Sequence, residues 1–110
     1  MFTYPGFRYL RFEETGDGTL NVKYCSRYAD EVEIPSRVGG KAVTGIGERA
    51  FRDCRSLEEL ILPDSILTIE ENAFERCTAL KKIDIPAGVS KIGAAAFLSA
   101  GIETLTVPGN

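Results

Sequence analysis

The 110 residues of this chain include no histidine. That removes nucleophilic triads built on histidine, histidine-bearing zinc sites and any imidazole acid–base step. Three cysteines, Cys25, Cys54 and Cys77, are odd in number and show no C-x-x-C spacing, so neither a metal site nor a disulfide framework is indicated. Glu31, Glu33 and Glu59 are the carboxylates to weigh for glycoside hydrolysis. They fall on short alternating segments that leave them in water, with no walls to raise one pKa. Ser36 and Ser65 have no histidine to act as base and read as turn residues. Gly39-Gly40 and Gly45-Ile46-Gly47 are not phosphate loops. Neither follows a strand and opens a long helix with the required third glycine or lysine. No catalytic residue, cofactor or metal ligand is assigned.

The elements that position these residues repeat. Ile46, Ala50, Phe51, Cys54, Leu57, Leu60 and Leu62 recur 23 residues later as Ile69, Ala73, Phe74, Cys77, Leu80, Ile83 and Ile85. A third copy, one residue shorter, carries Ile92, Ala96, Phe97, Ala100, Ile102, Leu105 and Val107. Prolines close the units at Pro63, Pro86 and Pro108, and Pro35 closes a divergent one ahead of them. A period in the range of about 20–29 residues is the mark of a leucine-rich-repeat solenoid. The expected fold class is α/β: a short right-handed solenoid with parallel strands and short helical turns. About three full repeats plus a divergent first turn are expected over 34–110, behind an N-terminal capping hairpin at 1–33, as one structural unit.

Each turn has a readable plan. A strand whose flanking residues point inward and whose centre points out runs up to the proline, which ends the pairing because it lacks a ladder donor. Leu60–Leu62, Ile83–Ile85 and Leu105–Val107 are expected to pair in parallel and in register. A second extended piece follows, then a helical turn around Ala50-Phe51, Ala73-Phe74 and Ala96-Phe97. The interval from Pro35 to Pro63 is 28 residues rather than 23 or 22, so Ser36 to Lys41 should loop out on one edge. Cys54 and Cys77 share one place in successive turns. Stacked strands lie roughly 4.8 Å apart, wider than the ~3.8 Å Cβ separation of a disulfide, and buried free thiols are expected.

The leader reads as two strands, Phe7 to Glu13 and Thr19 to Tyr24, around Thr15-Gly16-Asp17-Gly18. It holds seven of the ten aromatic residues (Phe2, Tyr4, Phe7, Tyr9, Phe12, Tyr24 and Tyr28), enough apolar area to close the open end of a solenoid. A net charge of −3 gives no support to nucleic acid or an anionic membrane as partner. No apolar run approaches the ~18 residues of a membrane span. The opening Met1 to Pro5 has neither the basic nor the apolar part of a secretory signal. The expectation is a protein kept inside the cell, or a chain without its natural beginning.

A binding function has one natural place, the outward residues of the stacked strands. One column reads Glu33, Ile61, Asp84, Thr106 and the other Glu31, Glu59, Lys82, Thr104. Candidate contact residues are Glu59, Ile61, Lys82, Asp84, Thr104 and Thr106, with Ile61 as apolar anchor. On the opposite side the turns align Arg52 with Glu75 and Asp53 with Arg76, complementary neighbours worth about 0–1 kcal/mol each. The C-terminal end has no polar unit after it. Ile92, Phe97, Leu98, Ile102, Leu105 and Val107 should be left uncovered, which points to further repeats or to self-association there.

These residues resemble the BspA-type bacterial leucine-rich repeats. One match runs through Leu62-Pro63, Ile66, Ile69, Ala73-Phe74, Cys77, Leu80 and Ile83; the next runs through Ile85-Pro86, Val89, Ile92-Gly93, Ala96-Phe97 and Ile102. Ile34-Pro35-Ser36 and Val43-Thr44-Gly45-Ile46-Gly47 are similar to the family's first repeat. The resemblance implies a non-catalytic protein-binding module of a bacterial surface or adhesion protein, extracellular or on the cell surface, with a protein ligand. The alternative is a structural fragment that serves in spacing or oligomer formation.

Overall fold

The computed structural model describes residues 8–108, and Phe2, Tyr4 and Phe7 of the expected aromatic leader lie outside them. The described chain opens with a hairpin of β1 (Leu10–Glu14) and β2 (Leu20–Cys25), paired antiparallel. Alternation places Leu10, Phe12, Leu20 and Val22 on the buried face. The turn is held by Asp17, whose carboxylate accepts from the hydroxyls of Thr15 and Thr19 and from the Thr19 N–H at 3.1 Å. Strand β2 then pairs in parallel with β5 (Lys41–Ile46), opposing Leu20 to Val43 and Val22 to Ile46. The hairpin is thereby the outer layer of the solenoid's own sheet and covers its first turn.

The solenoid is a β-rich stack with three sides. The first side carries β3 (Glu31–Glu33), β6 (Glu59–Ile61), β8 (Lys82–Asp84) and β10 (Thr104–Thr106). The second side carries β5, β7 (Thr68–Ile69) and β9 (Lys91–Ile92), which continue in parallel register from β2. On the first side β3 pairs with β6 and β8 with β10, both parallel. The expected continuous ladder through all these strands is not formed, because no hydrogen-bonded pairing joins β6 to β8. Adjacent turns stay bonded on the other two sides and part on this one.

The third side corrects an expectation. No α-helix occurs among the described residues, and the segments around Phe51, Phe74 and Phe97 are bends. Arg49, Asp53, Asn72, Arg76, Ala95 and Ser99 have φ between 56° and 63°, a left-handed conformation that cannot propagate a right-handed helix. The backbone instead alternates two kinds of bond. Ala50, Arg52 and Cys54 N–H donate back three residues to Gly47, Arg49 and Phe51 carbonyls. Arg49, Phe51 and Asp53 N–H donate across to Glu71, Ala73 and Glu75 carbonyls of the next turn, at 3.1, 2.8 and 2.8 Å. Asn72, Phe74 and Arg76 do the same to Ala94, Ala96 and Leu98.

The five-residue excess after Pro35 is not a plain loop. Arg37–Val38 forms β4, which pairs antiparallel with the start of β5, opposing Val38 to Lys41 across Gly39-Gly40. A two-residue hairpin turn that matches strand twist needs positive φ at both centres, and these glycines have 59° and 81°.

Inward residues of all three sides make one column. Phe51 and Phe74 stack with ring centroids 5.1 Å apart, and Phe74 and Phe97 with centroids 5.4 Å apart. Such pairs contribute about 0.5–1.5 kcal/mol beyond their area burial. Cys25, Cys54 and Cys77 are free and buried in the same column. Their hydrogen bonds run across the turns: the Cys77 thiol donates to the Phe51 carbonyl at 3.0 Å, and the Cys54 thiol to the Cys25 carbonyl at 3.6 Å.

Candidate interaction face

Strands β3, β6 and β8 are short, buried at their centres and exposed at both flanks, with Val32, Leu60 and Ile83 pointing inward between outward pairs, whereas β10 is exposed along its length. This places Glu31 opposite Glu59 and Glu33 opposite Ile61 in one ladder, and Lys82 opposite Thr104 and Asp84 opposite Thr106 in the other. All six candidate residues, Glu59, Ile61, Lys82, Asp84, Thr104 and Thr106, are on the surface. Ile61 is 58% exposed, the one large apolar side chain displayed in the middle of this face.

Where β6 and β8 part, the face is hollowed. A depression of about 390 Å³ is lined by Glu58, Glu59, Leu60, Ile61, Lys81, Lys82 and Asp84. A second, of about 260 Å³, lies between Glu31, Val32, Glu33, Glu59 and Ile61. Ile61 borders both. Glu58 and Lys81 were not singled out from the sequence, although each precedes its strand by one residue in adjacent turns, which was a legible signal.

The electrostatics change along the face. Asp30, Glu31, Glu33, Glu58 and Glu59 crowd its N-terminal part, and the described residues give none of them an ion pair. The repulsion shows in Glu31, whose pKa is raised first by the charge of Glu59 and then by a hydrogen bond with it, with Asp30 and Glu58 adding to the effect. Lys81 and Lys82 bring positive charge to the middle, and Thr104 and Thr106 make the C-terminal part neutral. Acids elsewhere are mostly matched: Arg52 meets Glu75 at 3.4 Å, Arg76 meets Asp53 at 3.7 Å, and Lys91 meets Glu70 at 3.0 Å.

The arginine side has its own hollow, about 440 Å³, lined by Arg27, Asp53, Arg55 and Arg76. The cross-turn pairs expected there are present, and Arg55 also reaches Asp53 at 3.5 Å. Arg27 joins them from the leader, where no repeat pattern could have placed it. Among the described residues no cluster of acidic or thiol side chains has the spacing of a metal site, and no helix is long and apolar enough to cross a membrane.

The stacked turns and the inward Ile, Ala-Phe and Cys columns coincide with a known sequence profile. That of the BspA type leucine rich repeat region matches residues 23–110 in six copies. The chain belongs to this family. Among solved structures, it is similar to a leucine-rich repeat protein from Bacteroides capillosus ATCC 29799, at 26% identity and a TM-score of 0.67. That match covers 99% of this chain and 98% of the other. A leucine-rich repeat protein from Bacteroides ovatus ATCC 8483 matches at 22% identity and a TM-score of 0.59, covering 91% of this BspA-type chain and 40% of that one. The T. pallidum leucine rich repeat protein matches at 17% identity and a TM-score of 0.53, with 94% and 71% covered. These last two likenesses concern the fold. A search of curated proteins returned no match.

Proposed function

We propose that this BspA-type chain is a non-catalytic module of a bacterial surface protein that binds another protein through the outward residues of β6, β8 and β10. The observation that carries this reading is Ile61. A buried position costs nothing to make apolar, but a side chain 58% exposed between two depressions is apolar against the tendency of its surroundings. Binding energy concentrates in a few such anchors ringed by polar groups, which Glu59, Lys82 and Asp84 supply here. The shallow form of the face suits a protein surface more than a small molecule, whose sites bury most of the ligand. The exposed carboxylates also lack the burial that acid–base catalysis draws on to raise a pKa. The surface role is drawn from the family.

The test is interferometry of the purified chain against a panel of immobilised extracellular-matrix proteins. Saturable binding that Ile61→Lys and Lys82→Glu abolish, and that Arg49→Ala leaves intact, supports the proposal. Binding unaffected by the two face variants would move the site elsewhere, and no binding across the panel would remove the surface-adhesion reading.

A further inference from the structure

Three successive parts of the stack each bring an arginine to one hollow. Arg27 comes from the leader, Arg55 from the bend that precedes β6, and Arg76 from the next bend; with Asp53 they line a volume of about 440 Å³. Arg27 is held there by a closed turn. The Ser26 carbonyl accepts the Ala29 N–H and the Ser26 hydroxyl accepts the Tyr28 N–H, both at 3.2 Å. The Cys54 thiol donates to the same Ser26 carbonyl at 3.8 Å, which ties this turn to the buried column. Arg27 itself is exposed and has no ion pair among the described residues.

Asp53 is the carboxylate of the lining, and it does not use up its neighbours. Arg55 and Arg76 approach it at 3.5 and 3.7 Å, beyond the ~2.7–2.9 Å of a charge-assisted hydrogen bond. Each guanidinium has several N–H donors in a rigid fork, so most of them stay unspent. Behind the rim, Glu75 stands 3.9 Å from Arg76 but is closer to Arg52, at 3.4 Å, and accepts from the Asn72 amide at 3.1 Å. The lining therefore carries an excess of two positive charges, in a chain whose net charge is −3. Gathering like charges costs stability, and a bound anion recovers it.

We propose that this hollow binds a phosphomonoester group borne by another molecule. Guanidinium forks recognise the oxygens of phosphate and of carboxylate in pairs. Charge selects between them: a phosphomonoester carries about −1.5 to −2 at neutral pH and matches the excess, whereas a carboxylate or a sulfate ester brings a single charge. One dianion fits better than a polyanionic strand, because the three arginines meet at one hollow. The hollow lies on the surface, so it takes the charged group and leaves the carrier in solvent. This site is separate from the strand face and stands independently of what that face binds.

Titration calorimetry of the 110-residue chain with a phosphoserine peptide and with glucose 6-phosphate tests this, beside the unmodified and the serine-sulfated peptides. The expected result is saturable binding of both phosphorylated ligands, displaced by inorganic phosphate and about tenfold or more tighter than the sulfated peptide. Arg27→Gln should weaken it about tenfold, with the melting temperature of the free chain unchanged because no ion pair is lost. Arg49→Gln, at a residue paired with Glu48 and outside the lining, should leave it intact. Binding of one phosphorylated carrier alone would support the phosphate site and add carrier contacts outside the hollow. No saturable binding at millimolar ligand, equal binding of the sulfated peptide, or binding indifferent to Arg27→Gln would each overturn the proposal.

Discussion

Glu31 and Glu59 stand directly opposite one another in the parallel ladder between β3 and β6, two carboxylates on one face that repel each other. Like charges in that position oppose the pairing that brings them together. The folded chain therefore holds a proton on Glu31 more tightly than the unfolded chain does, and this group favours folding most below its ordinary value of 4.5. That stability is lost as the pH rises from there through the raised value. Glu59→Gln should raise the melting temperature slightly at neutral pH and flatten this part of the profile, which a series of calorimetric scans will show.

Asp17 works in the other direction. Bonds from Thr15 and then Thr19 hold its pKa down to about 2, against an ordinary 3.8. Its contribution is present above the ordinary value and disappears as the pH falls from 3.8 toward about 2. Asp17→Asn should lose part of the acid-induced fall in hairpin stability, measured by amide exchange in β1 and β2.

Phe74 has a stacked ring on each side, so its removal opens a void at the middle of the column. Phe74→Ala should cost about 3–5 kcal/mol in a urea titration, a large share of a small domain's stability. Phe97→Ala should cost less, since that ring is only partly covered.

Gly47 is required by a close approach. A Cβ there would sit 2.7 Å from the Val22 carbonyl oxygen, which is fixed backbone that also accepts the Gly47 N–H at 2.8 Å. Gly47→Ala should destabilise by roughly 1–3 kcal/mol through overpacking, whereas Gly16→Ala, with nothing within 4 Å, should stay near the parent in the same titration.

The three thiols should be silent toward a thiol reagent until the chain unfolds. Burial pushes Cys77 up to about 12, and Cys25 is raised by its hydrogen bond with Cys54 and by burial, so these two hold little reactive thiolate at neutral pH. Cys54 is lowered by the same bond with Cys25, and it is complete burial in the column that keeps a reagent from it. A spectrophotometric assay should give no reaction in buffer and full reaction in guanidinium.

The inward columns were legible in the sequence because a repeat writes each of them several times: Ile46, Ile69 and Ile92, or Phe51, Phe74 and Phe97. The cross-turn pairs of Arg52 with Glu75 and Asp53 with Arg76 followed from the same alignment. The bends read as helical in the sequence because Ala-Phe pairs carry ordinary helix propensity, while the left-handed residues at Arg49, Asn72 and Ala95 are not glycines and announce nothing. The β4–β5 hairpin had a signal in Gly39-Gly40, but β4 is only two residues long. The parting of β6 from β8 left no mark in the spacing, since Leu60 and Ile83 keep the regular 23-residue interval. The expected face residues reached the surface because strand alternation is local. Arg27 joined the arginine hollow from outside any repeat.

A hydrogen-exchange footprint of the chain bound to a matrix protein that captures it locates the contact directly. Protection is expected at residues 59–61, 82–84 and 104–106, with the arginine hollow unchanged. Protection around Arg27, Arg55 and Arg76, with those strands unprotected, would place the binding site on the arginine side and not on the strand face.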